Sequence, residues 1–279
     1  MTGTIKPFML KAVEKVHLAL FQKELPDDLA IYFHELEPWQ ASRLDEALSF
    51  FSDLGYRTVH PYEFIAPRQP GDRRLFVSFD DNFRGWHRAL DLFARRDARC
   101  TFYVNTGMFR DVADRKAIAD YFSRICYRGE DRTLSRVEIR EMHAAGHNIG
   151  CHTHNHPMLA RLPRDRWDGE IATSKQILED LVGARVRDFS YPFGMRRHFS
   201  PALREYCTGL GFRTIATGIS GLQHGGAPDA LNLHRTGWRF DLSLEDNLSR
   251  LRVSSPLYAG LTGRCAVGGS NWLALPLVW

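Results

Sequence analysis

Residues 73–81, RRLFVSFDD, place Leu75, Phe76, Val77 and Phe79 in near-continuous succession and end on two adjacent aspartates. A strand this apolar on both faces is one covered on both sides, as in a parallel sheet layered with helices. Paired carboxylates at its end repel one another, so Asp80 and Asp81 call for a reason beyond an ordinary turn or helix cap.

The flanking segments repeat the alternation. LAIYFHEL (29–36) reads as a strand, WQASRLDEALSFFSDLGYRTV (39–59) as a helix stopped by Gly55 and followed by a short strand. A helix is predicted from Arg84 to Arg96, then a strand in ARCTFYVNTG (98–107). In LSRVEIREMHAAG (134–146), Ser135, Glu138 and Gly146 form a capping box and a C-terminal stop. HNIGCHTHNHP (147–157) is a short strand entering a loop, RDRWDGEIATSKQILEDLVG (164–183) a helix, and VRDFSYPFG (186–194) a strand and loop. PALREYCTGLG (201–211) is a helix with Pro201 in its first turn, FRTIATG (212–218) a strand, and 218–228 a Gly-rich surface loop. The repeated β, α order argues for a parallel sheet with helical crossovers; an open doubly wound sheet and a closed barrel both satisfy it.

The composition excludes several classes. With 279 residues, 44% hydrophobic, the chain can bury a large core. The 37 basic and 33 acidic residues are interspersed, for a net charge of +4, so no nucleic-acid-binding arm is present and no nucleic-acid partner is expected. Five cysteines without a CxxC pair argue for buried thiols in a reducing compartment, and the chain is expected to be cytoplasmic. No apolar run reaches membrane-span length. The first 25 residues are interrupted by Lys11, Glu14, Lys15 and His17, which a secretory signal would not tolerate. Met9, Val13, Val16 and Leu20 instead mark one face of an amphipathic helix, suited to docking on the domain or to peripheral contact with a partner or membrane surface.

Three polar clusters fall where strands end, which is where parallel α/β folds build their sites. The first is Asp80 and Asp81. The second is CHTHNHP (151–157): three histidines in five residues gather where a zinc-like ion is held, and His152 and His156, four apart, reach one side while His154 points elsewhere. Two imidazoles and one carboxylate from the aspartate pair leave coordination positions open for water, the mark of a catalytic metal. The third is SYPFG (190–194), whose Pro192 and Gly194 make a rigid turn able to aim a backbone N–H into a cleft.

The order SFDDN, HTHNHP, YPFG resembles the polysaccharide deacetylases, metal-dependent carbohydrate esterases that remove N-acetyl groups from amino-sugar glycans. YFHEL and LGYRTVHPYEF are similar to the approach to the catalytic domain in the poly-N-acetylglucosamine deacetylase branch. The resemblance covers residues 30–237 and implies a distorted (β/α) barrel of about seven parallel strands. It implies Asp80 as general base, Asp81, His152 and His156 as ligands of a divalent metal, Zn2+ before others, and the Phe193 N–H as oxyanion donor. Thr153 would fix the histidine loop. The implied substrate contacts are His34, Asn82, Tyr191 and Trp238, and the partner is an N-acetylated carbohydrate. On this reading residues 29–254 form the catalytic domain, 1–28 an N-terminal helix and 255–279 a tail. An O-acetyl or formyl hydrolase, or a glycan-binding module without turnover, would fit the same scaffold.

The departures from the family pattern are specific. Asn82 stands where the family has Gly, and Asn is the non-Gly residue best suited to positive φ. Ser190 stands where an Arg usually precedes the turn, so the group orienting Asp80 must come from elsewhere; Arg235, in LNLHRTG, is the candidate. His234 lies in LNLH, which matches the family's late acid motif, and is the expected catalytic acid.

Overall fold

The computed structural model describes residues 25–220 and 228–252; the expected amphipathic face Met9–Leu20, most of the Gly-rich loop and the tail 255–279 lie outside the described residues. The strands are β1 (Asp28–Phe33), β2 (Tyr56–Thr58), β3 (Arg73–Asp80), β4 (Cys100–Val104), β5 (Asn148–Cys151), β6 (Asp188–Ser190), β7 (Thr214–Ala216) and β8 (Thr236–Gly237). All pair in parallel, seven of them in the order β7-β6-β5-β4-β3-β1-β8. The eighth, β2, shares an edge of β3 with β4: it covers Arg73–Leu75, and β4 covers Val77–Asp80.

The sheet curls until its two ends meet through one segment. Leu233 N–H donates to the Ile215 carbonyl (2.9 Å) and Thr217 N–H to that of Leu233 (2.8 Å), beside β7. Three residues on, Thr236 and Gly237 pair with β1. The expected distorted barrel is therefore a curled half-barrel, drawn together by residues 231–237.

The helices are α1 (Pro38–Asp53), α2 (Pro61–Ile65), α3 (Gly85–Arg88), α4 (Leu90–Arg95), α5 (Arg115–Arg124), α6 (Arg136–Ala144), α7 (Thr173–Val182), α8 (Pro201–Gly209) and α9 (Leu244–Arg252). The capping box at Ser135 and Glu138 forms as expected. The helix predicted over 84–96 is two short ones meeting at Ala89, whose ψ of 7° leaves the helical range. The one predicted over 164–183 is helical in the α sense only from Thr173, after a π turn at Asp168–Ala172. The helices α5 and α9 were not expected, although Ile118, Tyr121 and Phe122 in α5 and Leu244, Leu248 and Leu251 in α9 recur at helical spacing; only Tyr121 of α5 is fully buried.

Strand β3 explains the interior. Its alternation sends Leu75, Val77 and Phe79 into the core beneath the helices and Phe76 into a smaller cluster with Val59, Phe64, Tyr103, Ala216 and Leu233. Arg74, Ser78 and Asp80 share the parity of Phe76, so one inward column of β3 runs from a guanidinium to a carboxylate. At its lower end Arg74, 2% exposed, meets Asp28 through both oxygens (2.7 and 3.0 Å) and donates to the carbonyls of Glu63 and Ala66. That pairing uses most of the guanidinium's donors, which is what makes a buried charge tolerable.

Far from the strand ends that build a site, His147 is buried edge-on to Phe93 and Phe102 (5.3 Å each), and its Nδ1 accepts from Cys100 N–H (3.4 Å). Burial, with His60 nearby, pushes its pKa down to about 4. The unfolded chain takes up this proton below the ordinary 6.5 and the folded protein cannot, so stability is full above pH 6.5 and is lost as pH falls toward 4. The loss should approach the order of 3 kcal/mol across that window. Urea midpoints measured from pH 7 to 4.5 should fall accordingly, and His147→Asn, which retains an acceptor for Cys100, should show the smaller slope.

Candidate metal and carboxylate site

The expected residues converge at the carboxyl ends of the strands. Asp80 is the last residue of β3, His152 follows β5, Phe193 lies in the loop after β6, and Arg235 immediately precedes β8. A cleft of about 320 Å3 opens there, lined by Asp80, Asp81, His152, His156, Phe193 and His34 together with Tyr32, Gly194, Gly218 and the stretch Arg124–Cys126.

Adjacent in sequence, the two aspartates face different partners. Asp81 leaves the strand at a φ of +88°, and its Oδ1 lies 3.2 Å from His152 Nε2 and 3.1 Å from His156 Nε2. Among the described residues these three form the one group of His, Cys, Asp or Glu whose donor atoms lie within 4.8 Å of one another, and all three are buried. His152 Nδ1 donates to the Ser190 carbonyl (2.7 Å), which fixes the tautomer that leaves Nε2 free to ligate. Thr153 Oγ1 accepts from His156 N–H (3.0 Å) and closes the histidine loop, while His154 turns away to Thr106 (2.8 Å). Tyr121 donates to the Asp81 carbonyl, and Asn105 to the His152 carbonyl, so both loops are held from behind. Burial disfavours ionised Asp81, but the two imidazoles overcome it and hold its carboxyl well below the usual range. Two imidazoles and a carboxylate converging on one point fit a divalent ion.

Asp80 belongs to a separate network. Arg235 spends all five of its N–H donors here: on both Asp80 oxygens (2.8 Å each), Ser78 Oγ (2.9 Å), Ser190 Oγ (2.8 Å) and the Thr217 carbonyl (2.9 Å). Ser190 Oγ also donates to Asp80 Oδ2 (3.1 Å). The guanidinium lies over the rings of Tyr32 (4.8 Å) and Tyr103 (5.2 Å). Burial alone would raise the Asp80 pKa; the charge and hydrogen bonds of Arg235 reverse this and keep it ionised.

The remaining expectations divide. Asn82 adopts φ +73°, the conformation that a Gly replacement needs, but it is fully buried, with Nδ2 on the Asn105 carbonyl (3.2 Å), and does not line the cleft. Phe193, at φ +66°, is 44% exposed, lies edge-on to His156 (4.9 Å), and its N–H makes no hydrogen bond among the described residues. Gly194 touches Gly218 so closely that a Cβ would sit 2.5 Å from its nitrogen, which keeps this wall of the cleft thin. Three further residues are not brought to the cleft. Tyr191 is buried against Phe199 and donates to the Gly194 carbonyl (2.9 Å), so it braces the turn from inside. His234 is 1% exposed, with its ring nitrogens toward Thr217 (3.3 Å) and Asn232 (3.4 Å), which leaves it no path to a leaving group in the cleft. Trp238 packs on Phe33 and Phe51. Tyr32 and the Arg124–Cys126 wall were missed: alternation from His34 along β1 would have found Tyr32, whereas the wall lies across a long connection that leaves no periodic signal.

A family model described as polysaccharide deacetylase matches residues 68–215, more than half of the chain. YxkH of Bacillus subtilis (strain 168), which carries a polysaccharide deacetylase name, is 21% identical over 187 residues, covering 63% of this chain and 60% of that protein. The chain thus spans about 60% of the length of this curated relative. Among solved structures, the Streptococcus pyogenes deacetylase PplD in complex with acetate superposes with a TM-score of 0.63 at 20% identity, covering 81% of this chain and 97% of that one. IcaB from Ammonifex degensii superposes at 0.61 and 19% identity, over 82% and 99%. At these identities the superpositions establish the shared fold.

Elemental analysis of the purified protein should find one divalent ion per chain. Asp81→Ala, His152→Ala and His156→Ala should each weaken its binding by more than ~100-fold, beyond the roughly 10–100-fold typical of losing a group that only orients a ligand. Arg235→Met should cost about 3–5 kcal/mol in denaturant unfolding because it strands a buried carboxylate, and adding Asp80→Asn should recover much of that loss.

Proposed function

The chain belongs to the polysaccharide deacetylase family, and from that premise we propose that it hydrolyses the N-acetyl amide of an amino-sugar glycan or glycan precursor with the help of a divalent ion, Zn2+ before others. The observation that carries this reading is the presence in one cleft of two buried carboxylates with separate partners, Asp81 with two imidazoles and Asp80 with Arg235.

Asp81, His152 and His156 would hold the ion, whose positive charge would acidify a neighbouring water and polarise the amide carbonyl. Asp80 is the base. Three of its roughly four acceptor positions are taken, by Arg235 twice and by Ser190, and the one left over is on Oδ1. That oxygen accepts the proton of the attacking water. The N–H of Phe193, a residue of the cleft wall, is free of other acceptors among the described residues and donates to the oxyanion as the carbonyl becomes tetrahedral. The departing nitrogen needs a proton, and His34, which lines the cleft with its side chain 46% exposed, is the imidazole left once His152 and His156 are committed. His34 therefore takes the acid role first expected of His234. The O-acetyl and formyl alternatives call on the same residues, and acyl release from matched substrates separates them.

Asp80→Asn preserves shape and should lower kcat for acetate release from N-acetylglucosamine oligomers by about 10²–10⁴-fold, with metal content unchanged. Full activity in that variant would remove Asp80 from the role of base.

A further inference from the structure

We propose that a hollow beside the cleft, floored by Trp238 and Phe240 and walled by Trp39, binds the next sugar of a glycan chain whose acylated residue occupies the cleft. This rests on the amide-hydrolase reading above and makes the substrate an oligomer or polymer.

The hollow holds about 360 Å3, similar to the cleft itself, and His34 lines both. The shared wall is the end of β1: Tyr32, in the cleft, accepts at its carbonyl from the N–H of Trp238, in the hollow (3.0 Å). A chain leaving the cleft past His34 enters the hollow directly.

Its surface suits a pyranose. Trp39 is 56% exposed, an unusual state for the largest apolar side chain, and stands edge-on to Phe240 (6.4 Å). Phe240 stacks in turn on Phe33 (5.2 Å), so the aromatic wall is anchored in the core. Pro38 and the capping box between Glu37 and Gln40 pin the first turn of α1, which carries Trp39, so little freedom is lost on contact. Polar groups ring the aromatics. The Glu35 carboxylate accepts from Gln40 Nε2 (3.2 Å) and keeps acceptor capacity for sugar hydroxyls, and Arg239 and Asp241 pair across the rim (2.9 Å). An apolar face for ring C–H groups, bordered by carboxylates for hydroxyls, is the chemistry of a carbohydrate subsite.

The test compares acetate release from N-acetylglucosamine and from its dimer and tetramer by the full chain with metal bound. The wild type should favour the tetramer. Trp39→Ala should lower kcat/KM for the tetramer about tenfold, mainly through KM, leave the monomer unchanged, and be largely rescued by Trp39→Phe. Equal kcat/KM for monomer and tetramer in the wild type, or equal loss on both in Trp39→Ala, overturns the subsite. So does a change of sedimentation in Trp39→Ala, which would assign the hollow to contact between copies of the chain. If the wild type releases acetate from none of these sugars, it is the hydrolase reading that fails. Tetramer binding to metal-stripped protein, read by tryptophan fluorescence, then decides the hollow alone: binding weakened by Trp39→Ala supports the subsite, and binding unaffected by it overturns it.

Discussion

The buried pair of Arg235 and Asp80 is the interaction on which the rest of the molecule depends. Burying a guanidinium and a carboxylate costs several kcal/mol for each ion, and the attraction between them compensates only when every remaining donor is matched. Here every donor is matched, and the acceptors come from β3, from the end of β6 and from the residue after β7. One side chain, on the segment that draws the two ends of the sheet together, thereby ties together strands from opposite sides of the curl. Closing the half-barrel and ionising Asp80 are the same event. A chain with Arg235 displaced would lose the closure and the charge state together.

Strand parity then accounts for the difference between the two aspartates. Asp80 shares the inward parity of Arg74, Phe76 and Ser78, so it meets the barrel interior and the guanidinium. Asp81 is released from that parity by its left-handed backbone and faces the imidazoles of the next loop but one. The repulsion expected of neighbouring carboxylates is relieved because each is neutralised by a different partner. A second aspartate inside the regular strand would have pointed under the helices, into apolar core.

What the sequence made legible follows from how local each signal is. The run of β3, the histidine spacing and the capping box at Ser135 are patterns within a few residues, and all three formed. Arg235 is different. Its five bonds go to four residues in three separate stretches of the chain, Ser78 and Asp80, Ser190, and Thr217, so no local pattern marks it, and only the missing Arg at Ser190 directed attention to a late strand. The same late segment misled at its neighbour. His234 and Arg235 are adjacent on extended backbone, but one is enclosed with Thr217 and Asn232 while the other reaches Asp80. A motif match cannot tell which of two consecutive residues faces the site. Tyr191 and Trp238 lie outside the cleft for the related reason that an aromatic ring suits a sugar face and a core equally well, and only packing decides; Trp238 lines the neighbouring hollow instead.

Backbone strain shows where folding energy has been committed to this arrangement. Seven non-glycine residues among those described adopt positive φ, and six of them surround the cleft: Asp81, Asn82, Cys126, Thr153, His156 and Phe193. Each such conformation costs on the order of 1–3 kcal/mol, less for Asn and Asp, and persists only where its surroundings over-determine it. The surroundings here are identifiable: Tyr121 and Asn105 behind the aspartate and histidine loops, Thr153 beneath His156, and Tyr191 beneath the Phe193 turn. Random irregularity would spread such residues over the loops of both ends of the sheet, yet only Asp97 lies away from the cleft. The strain therefore has one local cause. Ligand atoms, a base and a backbone donor must converge at the strand ends more tightly than relaxed turns allow, and the hydrogen bonds behind the loops supply the free energy that holds them there.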